Sequence, residues 1–187
     1  MKDLYSWVES MANEPLPGGV AAGALAAAMG AALVAKAARV TLRRQQMSDP
    51  DRARVTAVLA RSQTQRTELI ALAAADEQAY QAVLNTRQLA VDDAGRRQAW
   101  LAATEVPLRL AEACQVILGD AAEICAFCWP VVCSDFEIGR WLLEAAQQTG
   151  VLAAESNLAM RAHEPEGQAL QARLQNLCRS GDGGMQG

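Results

Sequence analysis

An all-α fold, a single helical bundle of about six to seven helices with long central ones, follows from three features of this 187-residue chain. Alanine supplies much of the 51% apolar content while aromatics make up only 4%, a balance that favours closely packed helices over sheets rich in Val, Ile, Thr and Tyr. Apolar residues recur at helical spacing along most of the chain, and no stretch alternates as a half-buried strand would. Pro, Gly, Ser and Asp punctuate that pattern where helices should start and stop. A chain of this length can bury a core without disulfides. One domain is expected over residues 1–180, with "GDGGMQG" at 181–187 as a disordered tail that has nothing to bury.

The elements follow in order. Leu4, Trp7, Val8 and Met11 form an amphipathic first helix that stops before Pro15. The second is expected from about Gly18 to about Gln46. In "MSDPDRARV" Asp49 is a candidate cap and Pro50 suits a first turn, opening one long third helix that continues through "AYQAVLNTRQ". A loop over Leu89 to Val91 leads to Asp92, the expected cap of a fourth helix containing Trp100 and Leu101. Pro107 within it lacks an amide proton and is expected to kink or split it. "CWPVVCSD" breaks the pattern again; Ser134 is placed to cap "FEIGRWLLEAAQQTG", which Gly150 is placed to interrupt. A further helix is expected over Val151 to Ala162 and a last amphipathic one from Pro165 to Cys178.

Charge and composition narrow the function classes. The net charge of −4 and pI near 5.1, with acids and bases interspersed, argue against a nucleic-acid partner. Gly18 to Ala35 is eighteen residues without a charge, long enough to test as a membrane span. Alanine and glycine gain little from lipid, so a buried central helix is the expectation and no membrane partner is expected. Five cysteines without a secretory leader point to a reduced cytoplasm. Cys125 and Cys128 have C-x-x-C spacing with Cys133 nearby, but no second pair follows and the sole His163 lies in "RAHEPEG". Core packing is therefore expected of these thiols, and no metal site.

Small residues at Gly23, Ala27, Gly30 and Ala31 share a helix face on which a neighbouring backbone can come close. Ahead of them, Pro17-Gly18-Gly19 sets side-chain-free backbone at a helix N-terminus, where unpaired amides and the positive dipole end attract a carbonyl or carboxylate. Lys36, Arg39 and Arg43 fall on one face farther along, with Arg44 beside them, either as a solvated stripe or as a site for an acidic ligand group.

Four stretches carry a resemblance. "PLPGGVAAGALAAAMGAAL" is similar, without a gap, to the P-x-P-G-G-G-S-x-A-A-L-x-G-A-L-G-A-A-L signature of the formiminotetrahydrofolate cyclodeaminase / methenyltetrahydrofolate cyclohydrolase family. "DEQAYQAV" resembles its D-x-x-A-[FY]-x-x-V, "ATEVPLRLAE" its A-T-x-V-P-L, and "SDFEIGRWLLEAAQQTGVLAAESNL" its S-D-x-x-x-A…A-x-x-G-x-x-N-V-x-x-N-L end. The resemblance spans Leu4 to Leu158. It implies an all-helical homodimer with folate-type sites, a one-carbon tetrahydrofolate as small-molecule substrate and no further cofactor. The reaction implied is at a C–N bond: hydrolysis of methenyltetrahydrofolate, preferred here because no formiminotransferase domain is fused, or ring closure with loss of ammonia.

Both reactions pass through a tetrahedral carbon flanked by nitrogens and call for a proton shuttle beside a delocalised cation, tasks that carboxylates perform well. The family pattern singles out Asp76 and Asp135 as catalytic, with Tyr80 one turn from Asp76, and the two acids are expected to converge beside the amides of Gly18 and Gly19. Pro17, Gly18, Gly19, Lys36, Arg39 and Asn157 are the expected substrate-binding residues. The sequence also departs from the pattern. Val20 and Ala21 replace the third Gly and the Ser of P-G-G-G-S, Lys36 and Arg39 stand at family Met and Asn positions, Cys128 to Val131 replaces G-N-P-N, and Ala153 replaces an Asn. Lost polar groups admit two alternatives: a repurposed enzyme acting on another imine, amidine or cyclic amine, and a catalytically silent binding or scaffold protein.

Overall fold

The computed structural model describes residues 4–91, 93–159 and 165–182. Six α-helices make up the fold: α1 (Leu4–Asn13), α2 (Gly19–Thr41), α3 (Asp49–Thr86), α4 (Ala94–Ile124), α5 (Cys133–Ala159) and α6 (Pro165–Asp182). Two single-turn 3-10 helices, Cys125–Phe127 and Pro130–Val132, join α4 to α5, and no strand occurs among the described residues. Helices α2 to α5 form a four-helix bundle in which each packs on two neighbours, α2 on α3 and α5, and α4 on α3 and α5. Short connections make sequential neighbours antiparallel.

Side chains too small to hold helices apart set this packing. A Cβ on Gly30 would lie 2.7 Å from the Gly139 carbonyl oxygen and 2.9 Å from Leu143, so α2 and α5 meet backbone to backbone there. Gly23 packs on the Thr149 side chain, and the pairing of 23 with 149 and 30 with 139 makes the two helices antiparallel. The small-residue face of the sequence is thus a packing face. By length and composition α2 could cross a membrane, yet Ala21, Ala24, Ala27, Ala31 and Ala38 are wholly buried between its bundle neighbours.

Several helix limits differ from expectation for identifiable reasons. α2 ends at Thr41 rather than near Gln46, because Arg52 of α3 takes the Leu42 and Arg44 carbonyls that a longer helix would use. Ser48, not Asp49, caps α3: its hydroxyl accepts from the Asp51 amide. Asp93, not Asp92, caps α4, accepting from the Gly95 and Arg96 amides; Asp92 lies outside the described residues.

Pro107 does not split α4. The carbonyl it deprives of a helical partner, that of Ala103 four residues earlier, accepts instead from Asn157 Nδ2 at 2.9 Å. Ser134 lies inside the first turn of α5 rather than at its cap, and Gly150 does not end the helix. A Cβ there would lie 2.6 Å from the Pro107 carbonyl oxygen and 3.0 Å from the Ala111 amide nitrogen, so Gly150 is where α5 crosses α4. The helices expected on either side of it are one.

Helix α6 lies across α4 and α5, burying Leu170, Leu174 and Leu177 against Leu108, Ala111, Ala154 and Leu158. Arg173 fixes its rotation with two-point binding of Glu112 at 2.8 and 2.9 Å and a contact with Glu105 at 2.6 Å. It continues to Asp182, past the expected start of the tail; His163 and residues 183–187 lie outside the described residues. The cysteines do not share one buried face: Cys114 is buried, Cys125 is exposed, and Cys128 and Cys133 are half-buried in the α4–α5 connection.

Two glycine substitutions separate packing from propensity. Gly150→Ala drives a methyl into the α4 backbone and should cost about 1–3 kcal/mol in chemical denaturation. Gly119→Ala, inside α4 with open space around its Cβ position, should stabilise by about 0.5–1 kcal/mol. Equal effects of the two would refute the close α4–α5 crossing.

Candidate functional site

At the end of the bundle where α2 begins, four helices open around a cleft of about 360 Å³. Gly18, Gly19 and Val20 supply one wall, Asp76 and Tyr80 of α3 a second, Ala103 of α4 a third, and Ala153, Ser156 and Asn157 of α5 the last. Its position follows from the close packing below. Glycine contacts hold the shafts together, and the ends diverge where side chains return.

Gly18 occupies the N-cap of α2 with extended backbone and has no side chain to satisfy the first-turn amides. Asp76 does part of that work from the neighbouring helix: its carboxylate accepts from the Ala21 amide and lies 3.9 Å from where a Gly18 Cβ would stand. The Gly19 and Val20 amides, which have no backbone partner among the described residues, remain at the cleft wall. Burial holds the Asp76 carboxyl above the usual carboxylate range; the Ala21 hydrogen bond opposes this and the adjacent Glu77 charge adds to it. It is therefore a carboxyl readier than most to carry a proton, set at the positive end of a helix. Tyr80, one turn on, keeps 40% of its surface exposed beside it.

Asn157 reaches the cleft by another route. Its amide group donates to the Ala103 carbonyl left over by Pro107, which leaves its Oδ1 as the group available to a ligand. Sequence reasoning missed Ser156, which lines the cleft but donates its hydroxyl to the Leu152 carbonyl at 2.8 Å. Its place one turn after Ala153 is the signal that could have found it. Among the described residues Asp76 is the only charged side chain lining the cleft.

The other expected site residues lie elsewhere in the chain. Asp135 does not join Asp76. It stands in the first turn of α5 and pairs with Lys36 at 2.6 Å. Lys36 is fifteen residues along α2 from Ala21, which separates the two acids by about 22 Å. The α2–α5 pair is antiparallel, so the start of α5 meets the far end of α2. Arg39 is exposed on that same far stretch. The expectation that Asp135 converges with Asp76 is therefore not met within a single chain; Lys36 and Arg39, expected to bind a folate's glutamate tail or an acid across the interface, lie on the same far stretch as Asp135. Pro17 is buried and faces a second cavity behind the α1–α2 connection, following a cis Leu16–Pro17 peptide.

The fold and the cleft together define an all-helical bundle of small-residue helices with a carboxyl set against the amides of a glycine-started helix. The chain belongs to the formiminotransferase-cyclodeaminase family, whose profile matches residues 4–176. Among solved structures it resembles formiminotetrahydrofolate cyclodeaminase from Thermotoga maritima, with a TM-score of 0.87 at 20% identity over 96% of this chain and 90% of that one. At that identity the likeness is one of fold. Among curated protein sequences none matches the chain.

The raised pKa of Asp76 has a stability consequence. A carboxyl whose folded-state pKa exceeds its unfolded value contributes stability that is complete below about pH 4 and lost as pH rises through the folded pKa. Asp76→Asn keeps an acceptor for the Ala21 amide without the charge. Its stability relative to the parent should therefore improve as pH rises from about 4 to neutral, read from denaturation midpoints. A difference that stays constant with pH would show that Asp76 titrates as an unperturbed surface acid.

Proposed function

We propose that the protein is an enzyme acting on a C–N bond of a one-carbon tetrahydrofolate, with hydrolysis of the methenyl form preferred to cyclodeamination. The observation that carries this reading is Asp76: a partly buried carboxyl with a raised pKa beside the α2 amides, as the single charge of the cleft. An amidinium carbon bearing a delocalised positive charge fits a cleft whose one charge is negative.

In the proposed reaction Asp76 takes a proton from a water molecule as its oxygen bonds to the amidinium carbon. The tetrahedral carbon then collapses: its hydroxyl gives up the remaining proton to solvent as the C=O forms, the bond to N5 breaks, and N5 takes the proton held by Asp76, leaving a formyl group on N10. The Gly19 and Val20 amides and Asn157 Oδ1 hold the polar edge of the ligand, and Tyr80 lines the same wall as Asp76 and offers a hydroxyl. No metal or cofactor beyond the folate takes part in this scheme, and a cytoplasmic location goes with it.

A second reading is favoured by Val20 and Ala153. Both line the cleft, Ala153 where the family pattern has Asn and Val20 with a branched side chain where it has Gly, and no Lys or Arg lines it among the described residues. A smaller imine, amidine or cyclic amine without an acidic tail suits such walls.

The proposed enzyme is a homodimer. Support comes from an exposed apolar face that flanks the Gly30–Gly139 contact, where Met29 of α2 is 58% exposed and Trp141 of α5 64%. Trp141→Glu should convert the dimer to a monomer in light scattering; a monomeric parent would refute the assembly.

Loss of the methenyl absorbance, corrected for spontaneous hydrolysis, tests the chemistry directly. Asp76→Asn should lower kcat about 10²–10⁴-fold and Tyr80→Phe less, with Gly119→Ala unchanged. Activity should also fall at low pH with an apparent pKa above that of an ordinary carboxyl near 4. If the parent leaves the absorbance flat and releases no ammonia from formiminotetrahydrofolate, the folate reading is wrong and the smaller-substrate reading takes its place.

A further inference from the structure

A second cavity, of about 400 Å³, lies between α1, the α1–α2 connection, α2 and α3. It is a groove open to solvent on one side, beneath α1: Trp7 and Leu4 line it, while Leu4 and Val8 keep 73% and 51% of their surface exposed. Walls of Trp7, Leu16, Pro17 and Ile70 are apolar, and among the described residues Glu77 is the one charged residue of the lining. Among the described residues its carboxylate accepts a long contact, 3.4 Å, from Trp7 Nε1, although a carboxylate has room for about four such bonds.

We propose that this cavity is a second small-molecule site, selective for an organic cation with a compact apolar body such as an arylalkylammonium. Glu77 pairs with the ammonium, and the Trp7 indole and the aliphatic walls flank the body. It is separate from the cleft at Asp76. Leu16 borders both, but Pro17 faces the cavity and Gly18 the cleft, so the connection forms the partition between them. Adjacent acids on α3 thereby serve two sites, and the proposal stands whether or not the cleft acts on folate.

Phenethylammonium is a suitable probe, with 2-phenylethanol as its neutral counterpart, and titration calorimetry on the full chain as the readout. The parent should bind the ammonium saturably in the millimolar range or tighter and favour it over the alcohol. Glu77→Gln should weaken the ammonium about tenfold and leave the alcohol unchanged. Ala74 is an exposed lining residue, so Ala74→Phe should block both probes without unfolding, checked by far-UV circular dichroism. Asp76→Asn should leave ammonium binding within about twofold. Absence of saturable binding to the parent overturns the proposal. So does a loss in Asp76→Asn with retention in Glu77→Gln, which would put the cation in the neighbouring cleft.

Discussion

The fold depends on contacts where side chains are missing. Gly30 against Gly139 and Gly150 against Pro107 bring three helices of the bundle to backbone distance, and each contact excludes even a methyl group. Such contacts are directional in effect, since one residue of slip along either helix would set a Cβ against a carbonyl oxygen. They fix how far α2 extends past its neighbours, and therefore where its glycine-started N-terminus meets α3 and α5. The cleft is the geometric remainder of that alignment rather than a separate construction.

Its polar groups arise from backbone accounting. A glycine cap leaves the first-turn amides of α2 without a side-chain acceptor, and a proline in α4 leaves one carbonyl without a donor. Buried backbone groups must be met, and the two side chains that meet them, Asp76 and Asn157, come from other helices and stand at the cleft wall. Each spends part of its hydrogen-bonding capacity on structure and keeps the rest. Asp76 in addition loses solvent, which shifts its proton affinity upward. Structural and chemical roles in these residues are thus two consequences of one placement.

Helix number and order were legible in the sequence because they rest on period and punctuation, as Leu4 to Met11 and Ser48 to Pro50 illustrate. Pro107 and Gly150 were misread as breaks for a common reason. Local propensity treats a proline or glycine as a cost, whereas here each is matched by a partner more than forty residues away. No local rule could pair Pro107 with Asn157. The cleft was half legible: Gly18, Gly19, Asp76, Tyr80 and Asn157 meet, because a helix start and one face of α3 are local features. Asp135 was expected beside Asp76 and within one chain is not, because convergence depends on helix direction. An antiparallel neighbour carries the beginning of α5 to the wrong end of α2.

The departures from the family signature divide by the same geometry. Arg39 and the Cys128 to Val131 segment belong to the far half of the chain's fold, where Arg44 binds the Phe127 carbonyl and the Trp129 amide donates to Thr41. Those substitutions therefore leave the walls around Asp76 as they are. Val20 and Ala153 are different, for both line the cleft: Ala153 puts a methyl where the family pattern has an amide side chain, and Val20 puts a branched side chain where it has Gly. An apolar wall discriminates among ligands by only about 1–3 kcal/mol per methylene, whereas a lost polar contact can change preference by orders of magnitude. Of all the departures, these two therefore bear most directly on the cleft walls. Restoring Asn at Ala153 and Gly at Val20 would change those walls without touching the packing that holds the bundle together.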